Sequence, residues 1–157
     1  YIRGRIFSFF DRETGSHNFQ SDKAIESITS GGFFGKGIGE GTLKNFVPEA
    51  HTDYIISVIS EEFGVVAIML ILLLFLIFIY MVFKKINFET NDKIKLILIG
   101  SISLILMQAT IHIGVNIRLF PTTGMTLPFL SYGGSSIVST SILAGIILNL
   151  TKRKINY

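Results

Sequence analysis

The sequence predicts an all-α, multi-pass integral membrane protein. Three observations carry that prediction: two apolar runs of membrane-crossing length, a shorter third run, and a composition unlike that of soluble domains. Hydrophobic residues make up 49% of the 157-residue chain, mean hydropathy is +0.57 and there are 14 Phe, more apolar character than ordinary soluble domains carry. A helix needs about 20 residues to cross the hydrocarbon core. Residues 63–83 meet that need with no charged residue among them, and residues 94–117 meet it with Gln108, His112 and Asn116 as the strong polar intrusions. Residues 137–150 are short, but helix starting within the serines at 131–136 extends them to a thin-membrane span. The expected organisation is a looped segment 1–54, a span 55–83, a link 84–93, a span 94–117, a loop 118–134, a span 135–151 and a tail 152–157.

The polar start leads straight into a span and does not open on Met, so we expect further spans upstream in a longer protein. Cysteine is absent, which leaves no disulfide, zinc–thiolate or thiol-nucleophile chemistry to consider. A net charge of +3 is too small to point to nucleic acid.

The distribution of charge sets the orientation. Residues 84–95 hold four Lys against Glu89 and Asp92, and the tail holds Lys152, Arg153 and Lys154. An even number of spans separates these basic segments, so they share a side, and the positive-inside rule makes it the cytoplasm. Residues 1–54, with six basic and seven acidic side chains, and residues 118–134 then face outward.

In the first outer segment, Gly31, Gly32, Gly35, Gly37, Gly39 and Gly41 interleave with Phe33, Phe34 and Ile38. Such glycine density fits a flexible surface loop, whereas the apolar insertions argue for a loop folded back on the membrane surface. No GK[ST] follows, so it is no phosphate-binding loop. Beyond Pro48 come Glu49, Ala50, His51, Thr52 and Asp53. Thr52 or Asp53 is placed to cap the next helix. Against a purely capping role, an ionisable residue at a membrane entry is costly unless a cavity or partner uses it. At about 100° per residue, Ser57, Ser60 and Gly64 share a stripe with Asp53, and Glu61 lies to its side. A carboxylate, hydroxyls and a glycine on one stripe describe a helix lining a wet cavity, with Glu62 on the other side as a partner for a loop cation.

On the second span Ser101, Gln108, His112 and Asn116 form a similar stripe. Polar side chains inside a span usually bond across helices, the favoured reading for Gln108; His112, near the outer end, could instead touch substrate. The outer loop from Arg118 to Ser136 combines two prolines with three glycines. Irregular backbone at membrane depth is tolerated where it lines a cavity, and Ser131, Tyr132, Gly133, Gly134, Ser135 and Ser136, opening the last span, could hold an anion at a helix N-terminus.

Residues 48–53 with Glu61, Glu62, Phe63 and Gly64 resemble the signature of the SEDS family (shape, elongation, division and sporulation). Pro121, Thr122, Thr123 and Gly124 with the run 125–136 resemble its second hallmark, and Arg5, Gln20 and the glycine-rich stretch match its large outer loop. Ala50 and the Thr126, Leu127, Pro128 run favour the division branch. The resemblance implies about ten spans in a full-length protein, with the large outer loop and the last three spans here. It implies a bacterial inner-membrane enzyme, at the division septum, that polymerises lipid II, the undecaprenyl-pyrophosphate-linked disaccharide-peptide, into glycan.

The catalytic residue carried over is Asp53, acting as general base on the acceptor hydroxyl. The expected substrate-binding set is Arg5, Glu49, His51, Thr52, Ser57, Glu61, Gln108, His112, Pro121, Thr122, Ser131, Gly133, Gly134 and Ser135. Arg5, the 131–136 segment or a divalent cation (Mg or Mn) is expected to meet the leaving pyrophosphate. Expected partners are the nascent glycan, a class B penicillin-binding protein and other divisome proteins. The sequence departs from the family pattern at Asn45 and Thr123, both neutral where charges are common, and Arg118 is a candidate replacement cation. A lipid II flippase and a non-catalytic division scaffold are the alternative readings.

Overall fold

The computed structural model describes residues 16–47 and 50–152, which form five α-helices and no strand. They are α1 (Ser16–Gly31), α2 (Leu43–Phe46), α3 (Ile55–Phe88), α4 (Asp92–Asn116) and α5 (Gly134–Thr151). Helices α3, α4 and α5 are each long and apolar enough to cross a membrane by length and composition. The expected Arg5 and Glu49 lie outside the described residues, as do Arg153 and Lys154.

The first 54 residues are not simply loop: they contain α1 and α2. The sequence pattern hid α1 because its buried positions, Ala24, Ser27 and Gly31, carry little hydrophobicity. Small residues instead let the two backbones approach closely. A Cβ on Gly31 would stand 2.0 Å from the Ser60 carbonyl oxygen of α3. Glycine also ends the helix, since Gly32 turns to φ +57° just past its last residue, and the Gly35 amide then bonds the Gly31 carbonyl at 2.8 Å.

Helix α3 is broken near its start. Gly64 has φ 79° and ψ −178°, a conformation that is essentially glycine-only. Such a break leaves carbonyls before it and amides after it without helical partners, and near a bilayer those groups must be satisfied within the protein. The glycine-rich loop supplies the partners. The amides of Lys36 and Gly37 donate to the Glu61 and Glu62 carbonyls at 2.8 and 3.1 Å, and the amides of Val65 and Val66 donate to the Gly32 and Phe33 carbonyls at 3.0 and 3.4 Å. A Cβ on Gly35 would stand 2.2 Å from the Glu62 carbonyl oxygen, so glycine permits the approach. The loop is thus folded back and backbone-bonded, while Phe33, Phe34 and Ile38 stay exposed.

The link between the first two spans is shorter than the predicted 84–93. Helix α3 runs on through Lys84 and Lys85, and only residues 89–91 separate it from α4. Hydropathy marks where a helix leaves apolar surroundings, whereas nothing between Lys84 and Phe88 stops the helix itself. Asn91 starts α4 by accepting from the Lys93 amide at 3.0 Å, as an N-cap does.

Three apolar clusters join the pieces. Ala24, Leu43, Val47, Ala50, Tyr54, Val58 and Val115 tie α1 and α2 to the start of α3 and the end of α4. Val82, Ile86, Leu98, Ile102, Ile105 and Ile147 pack α3, α4 and α5 at the other end. Between them Leu127, from the segment before α5, packs with Ile56 and Ala109. That contact brings the 117–133 segment against the start of α3.

Candidate active site

Asp53 lies just outside α3, whose N-cap is Tyr54 and makes no side-chain capping bond. Three successive carbonyls hold this stretch in place. The His51 carbonyl accepts from the Tyr132 amide at 3.1 Å, the Thr52 carbonyl from the Ser131 hydroxyl at 2.8 Å, and the Asp53 carbonyl from the Asn116 carboxamide at 2.9 Å. Two of these anchors come from the loop before α5 and one from the end of α4. The backbone bearing the carboxylate is therefore fixed residue by residue.

The two sequence motifs meet at the carboxylate. A Cβ built on Gly124 would stand 3.9 Å from Asp53 Oδ2, and Gly124 has φ +71°. Glycine there leaves the flank of the carboxylate open and permits the left-handed turn. Asp53, Thr52, Pro121 and Thr122 are half-buried, and His51 is exposed. At the start of α5, Gly133 is half-buried while Gly134 and Ser135 are exposed. These groups stay accessible around the Asp53 segment.

Four other expected substrate contacts are engaged in hydrogen bonds within the protein. Ser57 is 0% exposed and gives its hydroxyl to Asn116 Oδ1 at 2.8 Å. His112 is likewise 0% exposed, and its Nδ1 lies 3.2 Å from Asn116 Nδ2. Ser131 is buried and serves as a strut, accepting from the Leu127 amide while donating to Thr52. Gln108 bonds the Thr126 carbonyl at 2.9 Å and the Ser136 hydroxyl at 3.1 Å, the cross-element role favoured for a polar residue in a span. A helical stripe records that a face is polar; it does not distinguish a wet cavity from an internal hydrogen-bond network.

Glu61 takes up the role expected of Glu62. Glu61, 1% exposed, takes the loop cation: Lys36 Nζ donates to its Oε1 at 2.8 Å. Its oxygens also accept from the Thr42 amide at 2.9 Å, the Thr42 hydroxyl at 2.9 Å and the Leu43 amide at 3.0 Å. One carboxylate thus caps the single-turn α2 and holds the glycine-rich loop. The break at Gly64 frees the carbonyls and amides to which the loop bonds close to Glu61, a docking that a helical wheel cannot anticipate. Glu61→Gln is expected to lower stability by about 1–3 kcal/mol, below the cost of breaking a fully buried pair because Lys36 stays partly solvated. A fall in the thermal midpoint with faster proteolysis between residues 36 and 43 would bear this out; an unchanged midpoint would contradict it.

Arg118 is not a spare cation, since its guanidinium pairs with Asp22 of α1. Among the described residues no group of three or more His, Asp or Glu side chains could hold a metal ion.

An apolar groove of about 330 Å³ is lined by Ile71, Leu74, Phe75 and Phe78 of α3 and by Pro128, Phe129 and Leu130. Phe129 is held at φ 66°, unusual for a bulky residue and a mark of a constrained segment. The groove and the glycine beside Asp53 lie on one loop. Sequence reasoning missed Asn116 as a site residue; its place at the outer end of the polar α4 stripe was the available signal.

A family model described as cell cycle protein, covering FtsW, RodA and SpoVE, matches residues 1–156. The curated "probable peptidoglycan glycosyltransferase FtsW" of Enterococcus hirae is 40% identical over 138 residues, 87% of this chain and 35% of that protein. The proteins of the same name from Caulobacter vibrioides and Francisella salina are 36% and 43% identical, over 98% and 96% of this chain and 39% of each relative. The chain therefore spans about two fifths of the length of the relatives it matches.

Proposed function

The chain belongs to the FtsW, RodA and SpoVE family of cell cycle proteins, and from that premise we propose that it forms the catalytic end of a peptidoglycan glycosyltransferase that polymerises lipid II. The observation carrying this reading is the Asp53 carboxylate, fixed through the carbonyls of residues 51–53 and flanked by Gly124 of the second motif.

The reaction joins two lipid-linked sugars. The acceptor hydroxyl oxygen attacks the anomeric carbon of the donor, its proton passes to Asp53, and the carbon–oxygen bond to pyrophosphate breaks with the electron pair leaving on the pyrophosphate. A positioned carboxylate suits the first task. Pyrophosphate is a good leaving group and needs hydrogen-bond donors or positive charge more than an acid. We assign that task to Arg5 and the first turn of α5; a divalent cation, if bound, would add further neutralisation of the pyrophosphate. The apolar groove beside the loop supports a substrate with a lipid tail, since one segment would then serve the polar head and the chain.

One displacement with one base inverts the anomeric centre. Polymer formed by the full-length protein from purified lipid II should therefore carry the configuration opposite to that of the donor pyrophosphate. Retention would contradict single displacement, and absence of polymer would contradict the enzyme.

We also propose that residues 1–54 and the 117–133 loop face outward from the bacterial inner membrane, at the division septum, where a class B penicillin-binding protein cross-links the new strand within the division machinery. The lack of cysteine makes the topology directly measurable. A cysteine introduced at the exposed Glu40 should react with a membrane-impermeant maleimide in intact spheroplasts. One at the exposed Thr90 should react only after permeabilisation; the reverse pattern would overturn the orientation.

A further inference from the structure

We infer that Asn116 is the positioning residue of the site, the group through which α4 sets the place of Asp53; this rests on the catalytic reading of Asp53 given above. Asn116 is the last residue of α4 and is 0% exposed. Its carboxamide is fully engaged. Oδ1 accepts from the Ser57 amide at 3.2 Å and the Ser57 hydroxyl at 2.8 Å. Nδ2 donates to the Asp53 carbonyl at 2.9 Å, and lies 2.9 Å from the His112 carbonyl and 3.2 Å from His112 Nδ1.

The orientation of the amide follows from these partners. A backbone N–H can only donate, so the atom facing Ser57 N is the oxygen, and the nitrogen faces Asp53 and His112. One N–H goes to Asp53 and the other is shared between two acceptors of His112, one turn below. The carboxamide thereby joins three points: the last turn of α4, the first turn of α3, and the residue that bears the carboxylate. The hydroxyl and amide of Ser57 hold the oxygen while the nitrogen holds Asp53, so neither end can swing without breaking several bonds together.

This arrangement gives the two helices different duties. The loop before α5 fixes residues 51 and 52, whereas α4 supplies a side chain that fixes the carbonyl of Asp53. Asn116 acts through Asp53's own peptide unit and has no need to touch substrate. A displacement of the carboxylate by about 1 Å is enough to cost on the order of a hundredfold in rate. A side chain that holds the backbone of the base should therefore act on turnover and leave substrate binding largely intact.

The test uses the full-length protein with its transpeptidase partner and purified lipid II, comparing wild type with Asn116→Asp and Asn116→Ser. Asn116→Asp keeps an acceptor toward Ser57 but loses the donor to Asp53; Asn116→Ser is too short to bridge. The expected result is a roughly ten- to hundredfold fall in kcat, with KM within about twofold of wild type and an unchanged folded fraction. A folded variant of either kind with wild-type kcat would overturn the assignment. So would loss of activity explained wholly by loss of folded protein, or failure of both variants to fold, because Asn116 would then act through stability alone. Inactive wild type would instead defeat the catalytic reading itself.

Discussion

Asp53→Asn is expected to lower turnover by about 10² to 10⁴-fold, the range a general base contributes, with the substrate still bound and the complex with the transpeptidase intact. Asparagine matches aspartate in size, and the three backbone anchors at residues 51–53 do not involve the carboxylate. The substitution therefore removes the proton acceptor without removing what positions it. The carboxamide cannot take the proton from the acceptor hydroxyl, so the barrier to attack rises while the groove and loop remain. Asp53→Glu should retain more activity but still be slow, because the longer arm carries the carboxylate away from its place beside Gly124. Radiolabelled lipid II binding alongside initial polymerisation rates separates the effects. Equal loss of binding and rate would show that Asp53 holds substrate rather than activating it.

Gly64→Ala is expected to have a large structural effect, because backbone strain and a backbone clash coincide at that position. At φ 79° and ψ −178° a side chain costs about 1–3 kcal/mol in backbone strain alone. The Cβ would also meet the Phe33 carbonyl oxygen at 2.2 Å and its carbon at 2.4 Å. These are backbone atoms and cannot rotate aside, so the loop must leave the helix. The bonds of Val65, Val66, Lys36 and Gly37 across the break would go with it, exposing polar groups that water must then reach. The measurement is the thermal midpoint of the purified protein together with limited proteolysis of the glycine-rich loop. A clear drop in midpoint with new cleavage between residues 31 and 41 is the expected result; a wild-type midpoint with a protected loop would contradict the docking.

Gly35→Ala strikes the same junction from the loop side, through the Glu62 carbonyl. Its effect should fall short of additive with that of Gly64→Ala, since both break one contact.

The spans were legible because a bilayer demands uninterrupted apolar length, and residues 63–83 and 94–117 carry it plainly. The pairing of Asp53 with the Pro121–Gly124 motif was legible as order along the chain, but not as the approach of Gly124 to the carboxylate. What stayed hidden depended on backbone conformation. Gly64 reads as an ordinary small residue on a helical stripe, and only its backbone turn opens the carbonyls and amides to which the loop bearing Lys36 bonds. The face of α1 escaped notice because Ala24, Ser27 and Gly31 work by letting backbones approach rather than by hydrophobicity. Ser57, His112 and Asn116 were seen as a polar face, yet the network that closes them off requires α3 and α4 to be placed side by side. Burial then converts candidate substrate contacts into supports, with Asn116 and Ser131 holding the backbone that carries Asp53.

The most direct test of the central claim is to reconstitute the full-length protein with the proposed transpeptidase partner in vesicles, supply labelled lipid II, and follow polymer length and lipid translocation together. The account predicts glycan ladders from lipid II presented on the outward-facing side, formed without prior transfer across the bilayer. Translocation of intact lipid II with no polymer at all would contradict it and identify a transporter instead.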